Sequence, residues 1–430
     1  MTHPTLFIWR AALVLIAGFL LWQIVARGLG AHYADRLERG DADAMEQVLT
    51  WQPTHPRALY EQGRRLAAED PAAALQTLTQ AHRANPTDPR PLLAIAAIYL
   101  ESERTADADA LMHIADRLTP VDPRVQQQLA LYWNQRGETP EALRHLSKAM
   151  TVSSWHRREN YPVMLALAED PALRPLLEPL ALQAPAWWPG FFRHAANRAQ
   201  STDIVRYLFD LSRRAGAGPI SEAEHTAYQN RLLRDGFATE AYLSWLNTLE
   251  PRARKELGLL FNGGFELPLR NAGFGWRVRS HDQLEIRPLR TQGSSGSASL
   301  MVRFRAFEDR FTHLSQRLIL QRGTYRLTGR ARVNGLETKG GVRWQVRCSG
   351  SGRNLLGRSR VPVGDAHWSE LSFDFEVPAD DCETQDLRLV SAGTHGFELD
   401  IDGLLWLDDL KITRTTGLDA STHADTLRDR

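Results

Sequence analysis

Two carboxylate doublets, Asp380-Asp381 and Asp408-Asp409, are the residues of this 430-residue chain best suited to acid–base work. Glycoside hydrolysis uses two carboxyl groups that face each other across the scissile bond. Neighbouring residues on a strand point to opposite faces, so neither doublet makes such a pair by itself. Locally, Asp380-Asp381 reads as a polar turn and Asp408-Asp409 as a capping or cation-binding pair. There is no Gly-x-Ser-x-Gly elbow, no Walker loop and no His-Glu-x-x-His, and the histidines are scattered without the spacing zinc requires. The stretch Gly293 to Gly296 lacks the lysine and following helix that phosphate binding uses. The chain is therefore expected to be no enzyme and to act by holding. A glycan-cleaving activity needs two carboxylates brought face to face by the fold.

The two cysteines, Cys348 and Cys382, both fall in the C-terminal part. In an exported chain such a pair suggests a disulfide, worth roughly 3–4 kcal/mol for a loop of this length in the chain-entropy model. The other reading is two buried free thiols. No Cys-x-x-Cys spacing exists, which speaks against a redox or zinc role.

The elements that position these residues start with a membrane-type segment. Residues 11–26 carry one polar side chain, Gln23, and with Leu6 to Trp9 the apolar stretch is about long enough to cross a bilayer. Arg10 sits where it can snorkel to headgroups, and Trp9 and Trp22 lie near the two interfaces. Residues 1–30 are expected to be a transmembrane anchor of the bacterial inner membrane, with the short N-terminus in the cytoplasm and the rest in the periplasm. A cleaved signal peptide is the alternative. The net charge of +1 gives no global field for nucleic acid, and no nucleic-acid partner is expected. Lys148, Lys255, Lys339 and Lys411 are the lysines, all other basic residues being arginine, a bias that reads as genome composition.

Residues 31–257 carry little strand signal and many helix formers. His55-Pro56-Arg57, Asp88-Pro89-Arg90 and Asp122-Pro123-Arg124 recur at a spacing near 34, each followed by two helix-period stretches. Small residues such as Gly63, Ala74, Ala96 and Ala108 stand at matched places. Over about residues 40–153 this resembles the tetratricopeptide repeat family, clearest over 54–153. It lacks the usual leading tryptophan and has Ser102-Glu103 where the second unit's glycine belongs. The resemblance implies a groove that docks a partner protein. Further on, Trp187-Trp188-Pro189-Gly190-Phe191-Phe192 reads either as a partner or glycan contact or as core. Gly216 to Pro219 reads as a turn, and Ser221 to Glu224 fits a capping box.

Composition changes at Gly258. Alternating apolar residues predict strands at Trp276–Val278, Ser299–Arg305, Leu314–Leu320, Thr324–Val333, Val342–Cys348, Glu370–Val377, Leu387–Val390 and Leu405–Thr413. Eight or nine such strands make a β-sandwich over residues 258–414, followed by a disordered tail, 415–430. The order Asn262-Gly263-Gly264-Phe265-Glu266, Gly275-Trp276, Ala298-Ser299-Leu300, Gly323-Thr324-Tyr325, Trp368 and Leu407-Asp408-Asp409-Leu410 resembles the jelly-roll carbohydrate-binding modules of the galactose-binding-like superfamily. That resemblance implies a structural Ca2+ held by Glu266 and Asp409, with Asp408 as a further ligand. It also implies sugar stacking on exposed aromatics, for which Trp276, Trp344 and Trp406 are the candidates, core packing being the other reading.

The fold class is thus multidomain: a transmembrane helix, a helical solenoid and an all-β sandwich. The leading reading is a periplasmic scaffold in exopolysaccharide or O-antigen assembly and export, binding a protein through the groove and polysaccharide through the sandwich. The alternative is an assembly chaperone like those of cytochrome c maturation, with the sandwich as a cap. A reporter fused after Gly30 should be active only in the periplasm, and cytosolic activity would refute the orientation.

Overall fold

The computed structural model describes residues 3–41, 43–214, 220–290, 295–349, 354–359 and 361–415. The chain divides into two compact units, Met1–Phe191 and Phe192–Arg430. The division does not fall at the composition change near residue 258. Helices after residue 192 share a unit with the sandwich.

The first unit opens on α1 (His3–Glu38), which is long and apolar enough to cross a membrane or to serve as a signal sequence. Leu13 to Leu15, Phe19 to Trp22 and Ile24 are exposed on it. Past the apolar stretch α1 continues without a break, so residue 30 is no helix boundary. Its Leu37 packs with Ala44, Met45 and Val48 of α2 (Ala44–Trp51), and Trp22 lies 5.7 Å from Trp51.

Three helix pairs follow: α3 (Pro56–Leu66) with α4 (Pro71–Ala84), α5 (Arg90–Glu101) with α6 (Thr105–Leu118), and α7 (Pro123–Gln135) with α8 (Thr139–Val152). The recurring proline phrase works as a cap. His55 accepts from the Ala58 amide, Asp88 from Arg90 and Asp122 from Arg124 and Val125, groups that a helix start leaves without partners. Small residues allow close packing: a Cβ on Gly63 would stand 2.6 Å from Leu78 Cγ. The long α9 (Ser154–Glu169) and the short α10 (Glu178–Leu182) complete the unit, up to the start of α11 (Trp188–Arg198), which carries the boundary.

A partly buried polar relay, with His145 and Gln126 at its buried end, ties the third pair to the second. Lys148 donates to Asp116 at 2.7 Å, Gln126 donates to Asp116 at 2.8 Å, and His145 Nδ1 lies 2.7 Å from Gln126 Oε1. Burial, with the neighbouring Arg144 charge, pushes His145 down to about 4. For Asp116 burial pushes upward, but the bonds from Lys148 and Gln126 outweigh it and hold the carboxyl at about 2.

In the second unit, α12 (Thr202–Arg214), α13 (Glu222–Arg234), α14 (Ala238–Thr248) and α15 (Pro251–Arg254) precede the strands. The capping box at the start of α13 is present, with Ser221 and Glu224 bonded reciprocally. The turn read at Gly216 to Pro219 lies outside the described residues, as does the tail from residue 416.

Among the described residues ten strands build the sandwich: β1 (Trp276–Val278), β2 (Leu284–Leu289), β3 (Ser299–Phe307), β4 (Leu314–Leu318), β5 (Gly323–Thr338), β6 (Val342–Cys348), β7 (Leu355–Arg358), β8 (Gly364–Val377), β9 (Gln385–Ser391) and β10 (Ile401–Arg414). They pair into two antiparallel sheets, β1-β4-β9-β6-β7 and β2-β3-β10-β5-β8. Strands β2 and β7 have no counterpart in the sequence reading: β2 is interrupted by Pro288 and β7 has only four residues. Cys348 and Cys382 form a disulfide that clips the end of β6 to the loop entering β9, its sheet neighbour.

The pH response of the helical unit follows from the relay. The unfolded chain protonates histidine near 6.5 and the folded chain protonates His145 only near 4, so stability is full above 6.5 and falls between 6.5 and 4. Asp116 adds a second loss as pH drops from 3.8 towards about 2. Thermal unfolding followed by circular dichroism should show both, and His145→Gln should reduce the first without abolishing it, because burial lowers His55, His194, His225 and His313 as well.

Candidate functional site

The pleat decides which tryptophans can meet a ligand. Trp276 and Trp344 are 1% and 0% exposed and lie 5.9 Å apart inside the core. Trp276 also donates its indole N–H to the Asn262 carbonyl. Neither ring offers a face to a sugar, which corrects their assignment as stacking platforms. The physical reason is alternation: each shares the inward side of its strand with other core residues, such as Val278 and Val346.

Trp406 is different. On β10 its neighbours Leu405 and Leu407 are fully buried, so Trp406 points to the outer face of the second sheet and is partly exposed. It stands between Met301 of β3 and Arg332 of β5 in the register. The Arg332 guanidinium lies 6.0 Å from the Trp406 ring centroid, and the Arg330 guanidinium lies 5.9 Å from that of Trp368 on β8. The result is a strip of two indoles and two guanidinium groups on one outer face. Buried Trp368 Nε1 has no hydrogen-bond partner among the described residues. The sequence reading used Trp368 only as a fold landmark. Its place among the polar positions Glu370, Ser372 and Asp374 was the available sign that it faces outward.

The acids converge on one short segment. Glu266 accepts from the amides of Ser297 at 2.7 Å and Ala298 at 3.0 Å and from the Ser297 hydroxyl at 2.5 Å. Burial pushes Glu266 up, yet these bonds hold its carboxyl below the usual range. Asp409, at φ +53°, accepts from the Ser295 hydroxyl, and its amide donates to Asp408. Asp408 is fully buried, and a Cβ placed on Gly264 would stand 3.9 Å from both Asp408 Oδ1 and Glu266 Cγ. The fold thus brings Glu266 and Asp409 to one segment, Ser295 to Ala298, and sets Asp408 and Glu266 on either side of Gly264. Among the described residues no group of three or more His, Cys, Asp or Glu is arranged to hold a metal. A calcium ion here would take the remainder of its roughly six to eight oxygens from backbone carbonyls and water.

Asp380 and Asp381 are exposed at the turn after β8.

In the helical unit the Trp187 to Phe191 cluster is core. Trp187, Trp188 and Phe191 are buried, Trp187 donates to the Ser147 hydroxyl at 3.0 Å, and Tyr161 donates to the Trp187 carbonyl. Phe192, the first residue of the second unit, is buried against Phe209 of the same unit. Apolar side chains that do face solvent include Leu131 on α7 and Trp155 and Val163 on α9, all on first helices or their continuation.

Residues 65–132 match the family model described as the tetratricopeptide repeat. No curated protein matches the chain. Among solved structures, a family 4 carbohydrate-binding module is 15% identical, covering 36% of this chain and 99% of its own, with a TM-score of 0.27. The xylan-binding family 22 module of Xyn10C from Paenibacillus barcinonensis is 15% identical, covering 35% and 91%, with a TM-score of 0.26. MamA is 20% identical, covering 30% and 76%, with a TM-score of 0.23.

Proposed function

We propose that this chain is a non-enzymatic scaffold tethered to the bacterial inner membrane, with its bulk in the periplasm, serving exopolysaccharide or O-antigen assembly or export. The helical repeats dock a partner protein, and the sandwich holds polysaccharide on the outer face that carries Trp406 and Trp368. The observation that carries the glycan half is the strip itself. Indole faces stack on the apolar face of a pyranose, while adjacent guanidinium groups donate to its hydroxyls. The repeat match over residues 65–132 and the outward Leu131, Trp155 and Val163 support the docking half. The disulfide supports an oxidising compartment.

Removing both rings by Trp406→Ala and Trp368→Ala should weaken retention on a neutral polysaccharide gel about tenfold or more, close to 1.4 kcal/mol or above. The melting temperature should change little, because both side chains lie on an outer face. Undiminished retention would remove the glycan half of the proposal.

Calcium at Glu266, Asp408 and Asp409 would neutralise acids from the opening loop and the last strand and so staple the two together. Calorimetry should detect calcium binding, and chelation should lower the melting temperature of the sandwich. Absence of both effects would show that the Ser295 to Ala298 hydrogen bonds hold these acids unaided.

A further inference from the structure

The other sheet presents a different chemistry. Among the described residues, the outward positions of the strands β1, β4, β9, β6 and β7 carry Arg277, Arg317, Arg388, Arg343, Arg347 and Arg358 and one acid, Asp386. The register sets them in rows across the strands. Arg277 pairs with Ser315, Ser315 with Arg388, Arg388 with Gln345, and Gln345 with Arg358. Arg317, Asp386 and Arg347 form the next row. Asp386 is shared, accepting from Arg317 at 3.2 Å and from Arg388 at 2.7 Å. Asp386 itself lines a cleft of about 420 Å³ together with Arg277, Arg279, Arg317, Arg388, Thr312 and Ser315.

We infer that this outer sheet face binds a carboxylated polysaccharide, its acid groups lodged against the row Arg277, Arg388 and Arg358. The inference rests on the reading of the sandwich as a glycan holder and adds the class of glycan and a second face. Guanidinium forks match carboxylates in plane and in donor spacing. The row places an arginine on alternate strands, roughly 9–10 Å apart at the usual strand spacing. That is about the length of a two-sugar unit in an extended chain, so one carboxylate per disaccharide meets one arginine per two strands. Gln345 stands between Arg388 and Arg358 in the row but is only 8% exposed, so the arginines are the groups that face a ligand. Burial and the Arg317 charge push the Arg277 guanidinium below its ordinary value, a crowding that an incoming anion relieves.

Nucleic acid, the other long polyanion, fits less well. Single-strand readers stack bases on exposed aromatic rings. The tryptophans of this sheet, Trp276 and Trp344, both point inward. The disulfide at the end of β6 also favours a compartment outside the cytosol.

The test uses the full chain in detergent with three probes: hyaluronan, which alternates an acidic and a neutral sugar, the neutral polymer dextran, and a single-stranded DNA oligonucleotide. Hyaluronan should bind more tightly than either of the others, and its affinity should fall as salt rises. Arg358→Glu, at an exposed position on an edge strand, should cost about tenfold or more in hyaluronan affinity, with an unchanged melting temperature and no loss of dextran binding. Arg388→Gln, checked for a native melt, should cost hyaluronan affinity as well. Three results would each overturn the inference: hyaluronan bound no tighter than dextran, DNA bound at least as tightly as hyaluronan, or natively melting Arg358→Glu with undiminished hyaluronan affinity. Trp406→Ala distinguishes this from failure of the broader reading. Dextran binding lost in Trp406→Ala but hyaluronan binding indifferent to Arg358→Glu sinks the arginine face alone, while hyaluronan binding lost only in Arg358→Glu upholds it.

Discussion

The strict alternation of the pleat in the sheet β1-β4-β9-β6-β7 is the constraint on which the sandwich depends. Its inward set includes Trp276, Trp344, Val346, Leu387 and Leu389, all essentially without exposure, while its outward set is dominated by arginine. A slip of one residue on any strand would exchange the two sets, burying guanidinium groups without partners and exposing indoles. Two devices hold the register besides packing. The Cys348–Cys382 disulfide fixes the end of β6 against the entry to β9. Beside it the buried Gln385 amide accepts from the Leu320 amide at 3.0 Å and donates to the Cys382 carbonyl at 2.6 Å.

A second set of bonds anchors the segment that leads from the helices into the sandwich. The buried Gln316 side chain accepts from the Phe261 amide at 3.0 Å and donates to its carbonyl at 2.9 Å. Leu410 donates to the Gly263 carbonyl at 3.0 Å, and a Cβ on Gly263 would stand 1.8 Å from the Leu410 oxygen, so only glycine fits. Trp245 of α14 meets Phe261 and Phe274 at 5.0 and 5.7 Å. Gly273, at φ +55°, leaves room for that indole. These contacts give the helices from α12 onward a reason to share a compact unit with the sandwich. Composition, which changes only at Gly258, could not reveal it.

What could be read from the sequence was what is local. The proline phrases mark helix starts because their capping side chains act on amides two or three residues away. Six of the eight strands read from alternation were extended at one or both ends or trimmed, and two, Trp276–Val278 and Val342–Cys348, have the bounds read for them. The burial of Trp276 and Trp344 depended on which side of each strand faces the second sheet, and that side is set by pairing across the fold. Trp406 and Trp276 look alike as isolated tryptophans in apolar strands. They differ because Leu405 and Leu407 take the inward places on β10, whereas Trp276 takes one itself on β1. The gathering of Glu266 with Asp408 and Asp409 came through family likeness; spacing in the chain, more than 140 residues by the numbering, carried no sign of it.

The arginine content illustrates how a structure can separate composition from design. A genome that favours arginine codons supplies arginine to every surface alike. On the second sheet several acids stand among the outward arginines, Glu285, Glu370, Asp374 and Glu376: Arg326 bonds Asp374 at 2.6 Å, and Arg287 and Arg305 share Glu285 at 2.7 and 2.9 Å. On the described strands of the first sheet Asp386 is the one acid, and it serves Arg317 and Arg388 together. Codon bias acts on both sheets of one domain equally and has no means of producing that difference between them. Selection for fold alone has no use for it either, because clustered like charges on a sheet destabilise their neighbours. An anionic ligand that compensates those charges when bound accounts for both the asymmetry and its persistence in a folded domain.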